Sequence, residues 1–327
     1  MNRVAKALNI KYPIVQGPLA WLTDAKLVAA VANAGGIGNL GPAAGQNERV
    51  ADPDPVVQHA ATVERMRQQV RRVKELTTGP FAVNIIPENG GNDGHTRPLI
   101  QMMIEENVPA VVYTGSEVYP EIFKLLKDHN IKIIYRALNP TAANARAAEK
   151  NGSDVIVATG FDEGGTLPAK VVGTFSIVRM IVDAVDHTPV LATGGITDRR
   201  SVKAAMALGA ESVFCGSLFI ASKENRAAGK VKRAIVDSSA DDLLLFRTMP
   251  AYYRSLPGPF ANHLQELSDQ GTSREKSGEE MGGLYGLKLG MVDGDWDHGY
   301  VSLGTGITSI HRIRPVQEII TDLFTDE

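Results

Sequence analysis

Glycines placed directly after short apolar runs, and two adjacent carboxylates among them, are the residues of this chain whose types and spacing could do chemistry. Gly17, Gly41, Gly115, Gly160, Gly164, Gly165, Gly194, Gly195 and Gly216 all fall at or just beyond such runs. Loops of this kind let peptide N–H groups approach an anion closely, and a helix starting behind them adds a positive dipole end. Thr193-Gly194-Gly195-Ile196 and Cys215-Gly216-Ser217 together read as a phosphate cradle, although either alone also fits a tight turn. Asp162 and Glu163 share one loop, where two carboxylates could raise each other's pKa and act as acid and base. Capping a helix or facing water is the plainer role for both. Tyr252, Tyr253, His263 and His298 lie late in the chain, in a segment able to fold over a site, and a surface loop suits His298 equally. His59, His95, His129, His187 and His311 have no partner pattern, and no His, Asp and Glu spacing suits a metal. The lone Cys215 reads as a small buried hydrophobe rather than a nucleophile.

The elements that must position these residues recur with a simple period. Eight β-branched, apolar runs are candidate strands: Pro13–Gln16, Gly36–Leu40, Phe81–Ile86, Ala110–Thr114, Lys132–Arg136, Asp154–Thr159, Pro189–Thr193 and Glu211–Cys215. Helix-like stretches separate them at Asp24–Ala34, Val63–Leu76, Val118–His129, Ala142–Asn151, Phe175–Val185 and Arg199–Leu208. The spacing is that of βαβ units of about 30 residues, and eight in succession predict an α/β fold, the (β/α)8 TIM barrel. A doubly wound sheet is the alternative, since periodicity does not see closure. The site then belongs at the strand C-termini, where the last two glycine loops hold phosphate in such barrels. Gly45–Ala60 and Pro87–Arg97 read as polar loops at the same end. Past Ala221 the chain reads as helical and charged through Leu245, then as a Pro, Gly and Tyr-rich segment Phe246–Asn262 and a polar stretch Gln265–Glu280. The expected organisation is a core over 1–221, a lid or insertion over 222–300, and a closing segment over 301–327 with a helix at Val316–Phe324.

Composition narrows the class. The 327 residues carry 34 Lys and Arg against 37 Asp and Glu, a net charge of −3, which suits neither nucleic acid nor an anionic membrane. One cysteine excludes a disulfide framework and fits a reducing compartment. Met1–Asn9 has no apolar run behind its two basic residues, and no window approaches the ~20 apolar residues of a spanning helix. A cytoplasmic enzyme acting on a small molecule is the expectation.

Several motifs, in order, resemble one family. Gln16-Gly17-Pro18-Leu19, Asn33-Ala34-Gly35-Gly36-Ile37-Gly38, Val83-Asn84, Gly160 to Gly165, Thr193 to Ile196, Cys215 to Ser217 and the ending Gly304-Thr305-Gly306-Ile307 are similar to the nitronate monooxygenases, formerly 2-nitropropane dioxygenases. That family includes flavin-dependent enoyl-acyl-carrier-protein reductases and NAD(P)H:quinone reductases. The resemblance runs the full length and implies a TIM barrel holding non-covalent FMN. Gly195, Phe214, Cys215, Gly216 and Ser217 would hold the FMN phosphate, with Gly164 and Gly194 in the adjoining loops. Gly17, Pro18 and Leu19 would line the isoalloxazine, and Asn84 would match the donors and acceptors of its edge unless it only caps a turn. Thr159 stands where many members carry Gln. Arg136 would stabilise reduced flavin unless it is a surface ion-pair residue.

The catalytic loop departs from the family's Gly-x-Glu-x-Gly-Gly-His. Here it reads Gly160-Phe161-Asp162-Glu163-Gly164-Gly165-Thr166, with Asp162 for the Glu and Thr166 for the His that the family uses as base. A threonine hydroxyl is no base near neutral pH. Asp162, Glu163 and Thr166 are therefore the candidate catalytic set. The resemblance implies oxidation of nitronates or nitroalkanes with O2. Its alternatives are NAD(P)H-dependent reduction of an enoyl thioester or quinone, a relative that keeps FMN without the base, and, from another class, a phosphate-binding lyase or isomerase. With no Rossmann fingerprint, NAD(P)H would dock transiently on the lid side. A homodimer is the expected assembly.

Overall fold

The computed structural model describes residues 2–48 and 55–325. Eight strands run parallel: β1 (Ile14–Gln16), β2 (Gly38–Leu40), β3 (Phe81–Ile85), β4 (Ala110–Thr114), β5 (Lys132–Arg136), β6 (Val155–Thr159), β8 (Val190–Thr193) and β9 (Ser212–Cys215). Their spatial order is β1-β9-β8-β6-β5-β4-β3-β2. The parallel bridge Val15↔Ile37, with Ile37 N donating to Ile14 O at 3.0 Å, closes β2 back onto β1. The sheet is a barrel.

Side chains alternate across a strand, so every second residue points inward. Val15, Ile37, Ala82, Ala110, Val112, Ile134, Val155, Val157, Leu191 and Phe214 form the interior apolar cluster. The helix Arg3–Leu8 shuts the N-terminal end, adding Val4, Ala5 and Leu8, and Ile10 just beyond it, to the same cluster. Two residues further along six strands the inward position turns polar: Asn39, Asn84, Thr114, Arg136, Thr159 and Thr193, all buried. The barrel thus has an apolar floor and a polar ceiling. A second, larger apolar layer lies between the strands and the outer helices.

Polar side chains at helix starts fix where several outer helices begin. Asp24 Oδ1 accepts from Leu27 N, and Thr141 and Asp198 form reciprocal capping boxes with Asn144 and Ser201. A helix over Thr96–Glu105, absent from the expected elements, begins where Asp93 accepts from the N–H of His95 and Thr96 and from the Thr96 hydroxyl. Pro98 in its first turn conceals it in the sequence, although that position lacks an intrahelical N–H partner anyway. The expected loop Gly45–Ala60 is helical from Pro55, because the helix Pro55–Leu76 starts on that proline; residues 49–54 lie outside the described residues.

The segment after the barrel differs from the expected helix-then-loop order. The helix there ends at Asp237, not near Leu245. Four further strands follow from alternation that the Pro and Gly content hides. β10 (Leu244–Arg247), β11 (Tyr252–Leu256) and β12 (Val301–Ser302) form an antiparallel sheet, and β7 (Gly165–Leu167), from the loop after β6, joins it on β11. The polar stretch Gln265–Glu280 lies mostly in helices Pro259–Asp269 and Arg274–Met281. The closing helix spans Val316–Phe324 as expected.

Candidate active site

Above the polar ceiling, at the strand C-termini, opens a cleft of about 1200 Å³ including its solvent-filled mouth. Gly17, Pro18, Leu19, Asn84, Arg136, Glu163, Gly164, Thr166, Gly194, Gly195, Phe214, Cys215, Gly216 and Ser217 line it. Two expected site residues do not. Thr159 lies in the ceiling, 1 % exposed, with Oγ1 unpartnered. Asp162 is turned to the scaffold: its Oδ2 accepts from Thr174 N at 2.6 Å, and its carbonyl accepts from Thr305 N at 3.0 Å. The plainer reading, a carboxylate at a helix start, holds for Asp162.

The loop after β6 owes its shape to close backbone approaches. A Cβ on Gly164 would stand 2.6 Å from Gly304 N and from the Leu303 carbonyl carbon, and one on Gly306 would stand 2.9 Å from the carbonyl carbon of Gly195. The closing segment therefore lies directly on both the loop after β6 and the glycine loop after β8. Gly194 and Gly195 hold φ of +106° and +71°, backbone that side-chain-bearing residues rarely adopt. The Ser217 hydroxyl accepts from Gly304 N at 2.9 Å and keeps its own O–H to donate into the cleft.

Arg136 is no surface residue. Its Nη2 donates to Glu163 Oε2 at 2.6 Å, and both residues are at most 8 % exposed. Burial raises the Glu163 carboxyl, and the charges of Arg136 and Arg254 oppose that without overcoming it. The expected mutual effect of Asp162 and Glu163 is not the cause. Glu163 Oε1 is buried without a partner. Asn84 Nδ2 donates to Val112 O at 2.9 Å and Thr114 Oγ1 at 2.8 Å, leaving its Oδ1 buried and unpartnered. Unmet acceptors along a cleft wall are what a ligand rich in N–H groups satisfies.

Arg254, unremarked in the sequence, supports this loop from β11. Its Nη1 donates to the carbonyl of Phe161 at 3.0 Å and to that of Glu163. Thr166 sits on β7 opposite Tyr253 of β11. Tyr253 reaches the cleft wall, and burial holds its hydroxyl protonated, up to about 12. Tyr252 instead packs edge-on against Phe161. His263 and His298 pair with Glu280 and Asp295 on the surface, away from the cleft. Burial likewise pushes the Cys215 thiol up to about 12, which leaves it an inert hydrophobe. Leu284, Leu287 and Met291, at helical spacing in the excursion after the barrel, supply an apolar wall that no sequence motif marked.

Comparison with known proteins matches this architecture to one family. The model of the nitronate monooxygenase family matches residues 2–326. The probable nitronate monooxygenase of Staphylococcus saprophyticus is 31% identical over 312 residues, 82% of either chain. Its counterpart in Staphylococcus aureus strain MSSA476 is 32% identical over 285 residues, 75% of this chain and 74% of that one. Among solved structures, FabK from Thermotoga maritima superposes with a TM-score of 0.83 at 32% identity, covering 99% of this chain and 94% of that one. The nitroalkane oxidase of Streptomyces ansochromogenes shares the fold, with a TM-score of 0.77 at 23% identity over 98% and 96% of the chains.

Proposed function

Because the chain belongs to the nitronate monooxygenase family of oxidoreductases, we propose that it binds FMN in the glycine-lined cleft and oxidises nitronates and nitroalkanes with O2. The observation that carries this reading is the buried Arg136–Glu163 pair on the wall of that cleft. Family membership leaves the lyase or isomerase alternative without support.

The residues present fit the cofactor. Gly194, Gly195, Gly216 and Ser217 offer backbone and one hydroxyl to its phosphate, and the unmet Oδ1 of Asn84 awaits an N–H or O–H group. FMN, when bound, would supply the redox chemistry of the site. The chain's own residues do the rest. The Arg136 guanidinium holds the anionic oxygens of the nitro group or nitronate. Glu163, rather than Asp162 or Thr166, takes the proton from a neutral nitroalkane, a role that its raised pKa places nearer to neutral pH. Thr166 would offer its hydroxyl to a substrate in the cleft, and Leu284, Leu287 and Met291 line it with apolar surface that excludes water. Residues 222–300 act as the lid over the core 1–221, and 301–327 close it.

A second reading is favoured by Thr166 and by the likeness to FabK: reduction of an enoyl thioester or quinone by NAD(P)H. Anaerobic stopped-flow decides between them. Rapid bleaching of the FMN-loaded protein by nitronates, with none by NADPH, is expected; the reverse pattern replaces the oxygenase reading by the reductase. A protein that shows no flavin spectrum after FMN addition overturns both. Thr166→His should raise turnover of neutral nitroalkanes no more than a few fold if Glu163 already serves as base.

A further inference from the structure

In the loop after β1, Trp21 holds φ of +66°, the left-handed region that bulky side chains rarely adopt. Close hydrogen bonds impose this turn. Trp21 N donates to Pro42 O at 3.1 Å, and Leu22 N and Thr23 N donate to Leu19 O at 3.1 and 3.2 Å. The Thr23 hydroxyl in turn accepts from Gly41 N at 2.8 Å. The outcome is a split in side-chain direction. Ala20 and Leu22 line the cleft, whereas Trp21 lines a separate depression beside its mouth. Strain of this kind persists where the geometry it creates is used.

The indole is aimed at the opposite wall. Its Nε1 donates to Leu284 O at 2.7 Å, and its ring meets Tyr285 edge-on at 6.4 Å between centroids. Leu284 begins the short helix Leu284–Lys288, which with the π-helical turn Leu289–Asp293 presents Leu284, Leu287 and Met291 to the cleft. Backbone braces the far end of this wall: a Cβ on Gly290 would collide with Tyr300 O, and Trp296 Nε1 donates to Gly290 O at 3.2 Å. The chain enters the near end through Gly282 and Gly283, with φ of +67° and +57° and open space where either Cβ would lie. Two side chains bracket that end. The Tyr300 hydroxyl donates to Gly283 O at 2.6 Å from the closing segment, and Trp21 donates to Leu284 O from the loop after β1.

We propose that Trp21 is a positioning residue that sets the width of the cleft for the alkyl part of the reactant. It joins the loop that carries Ala20 and Leu22 to the wall that carries Leu284, Leu287 and Met291, so the apolar surfaces stand at a fixed separation. A slot of fixed width takes an unbranched chain and turns away a branched one, each misplaced methylene being worth about tenfold or more. The substrate class is then a nitronate or nitroalkane with a straight alkyl chain. This last step rests on the reading of the cleft as a nitronate site; the role of Trp21 in holding the wall does not.

Hydrogen exchange read by mass spectrometry on the full chain, wild type against Trp21→Phe, tests the positioning role without any reaction. Phe keeps a ring in place and removes the N–H. Peptides spanning 284–293 should exchange about tenfold faster, the loss of one hydrogen bond, while those over the helix Arg3–Leu8 and over β4 keep their rates. Trp296→Phe, which removes an indole bond at the braced end, should leave 284–293 at the wild-type rate. Steady-state kinetics on straight and branched nitronates of equal carbon number then test the width. Trp21→Phe should lower KM for the branched reactant relative to the straight one about tenfold, and Trp296→Phe should not. Unchanged exchange over 284–293 in Trp21→Phe overturns the positioning role, and so does a rise spread over the barrel strands, which makes Trp21 a packing residue. Faster exchange with an unaltered preference for straight chains overturns its part in specificity. A wild type that turns over no nitronate overturns the nitronate reading and the substrate class with it, and exchange alone then upholds or overturns the hold of Trp21 on the wall.

Discussion

Glu163→Gln keeps the shape of the side chain and removes its capacity to take a proton. Burial holds the Glu163 carboxyl above the ordinary range, so its base form becomes populated only at correspondingly higher pH. Turnover of a neutral nitroalkane should then rise with pH through that elevated value. In Glu163→Gln this limb should vanish and kcat/KM should fall by about 10²–10⁴, whereas a preformed nitronate, needing no base, should lose far less. Parallel pH–rate profiles on the two substrate forms check this. Glu163 was legible as a carboxylate in a glycine loop, but its neighbour Asp162 looked equally fit. Only the fold shows that Thr174 and Thr305 occupy Asp162 while Arg136 faces Glu163. Arg254 was illegible because its two carbonyl partners lie more than 90 residues away in the chain.

Between elements, the tightest junction is where the loop after β6 meets the closing segment. Gly164→Ala would force a methyl group against Gly304 N and Leu303 C at 2.6 Å, both of them backbone atoms that cannot turn aside. The expected cost is about 1–3 kcal/mol, visible as a lower denaturation midpoint, with weaker retention of the proposed flavin because the cleft wall shifts. Arg254→Met should cost about 1–3 kcal/mol by leaving buried carbonyls of Phe161 and Glu163 unmet. A third junction reports on acid. Burial works against ionised Glu149, but the N–H groups of His187, Asp186 and Thr188 outweigh it and bring the carboxyl down to about 2. Its contribution is therefore present above the unfolded carboxyl range of about 4.3 and is lost as pH falls toward 2. Glu149→Gln should flatten the stability profile over that interval in urea titrations. The barrel strands were legible from β-branched runs at regular spacing. The small sheet was not, because β7 and β12 are only three and two residues long and pair with a strand more than 40 residues away.

Across the whole molecule, the two barrel ends do different work. Leu8, 3 % exposed, helps close the end opposite the cleft. Leu8→Ala should cost about 2–5 kcal/mol and lower Tm while leaving kcat unchanged, which thermal melts and steady-state assays together would show. A deletion of the helix Arg3–Leu8 that spared stability would remove its role as the floor. The contact of Gly304 and Gly306 with the loops at Gly164 and Gly195 carries a consequence for synthesis on the ribosome. All eight barrel strands leave the exit tunnel before residues 301–306 do, so the nascent barrel waits without the segment that braces the loops at Gly164 and Gly195. The wall of the cleft is therefore completed only late in the synthesis of each chain.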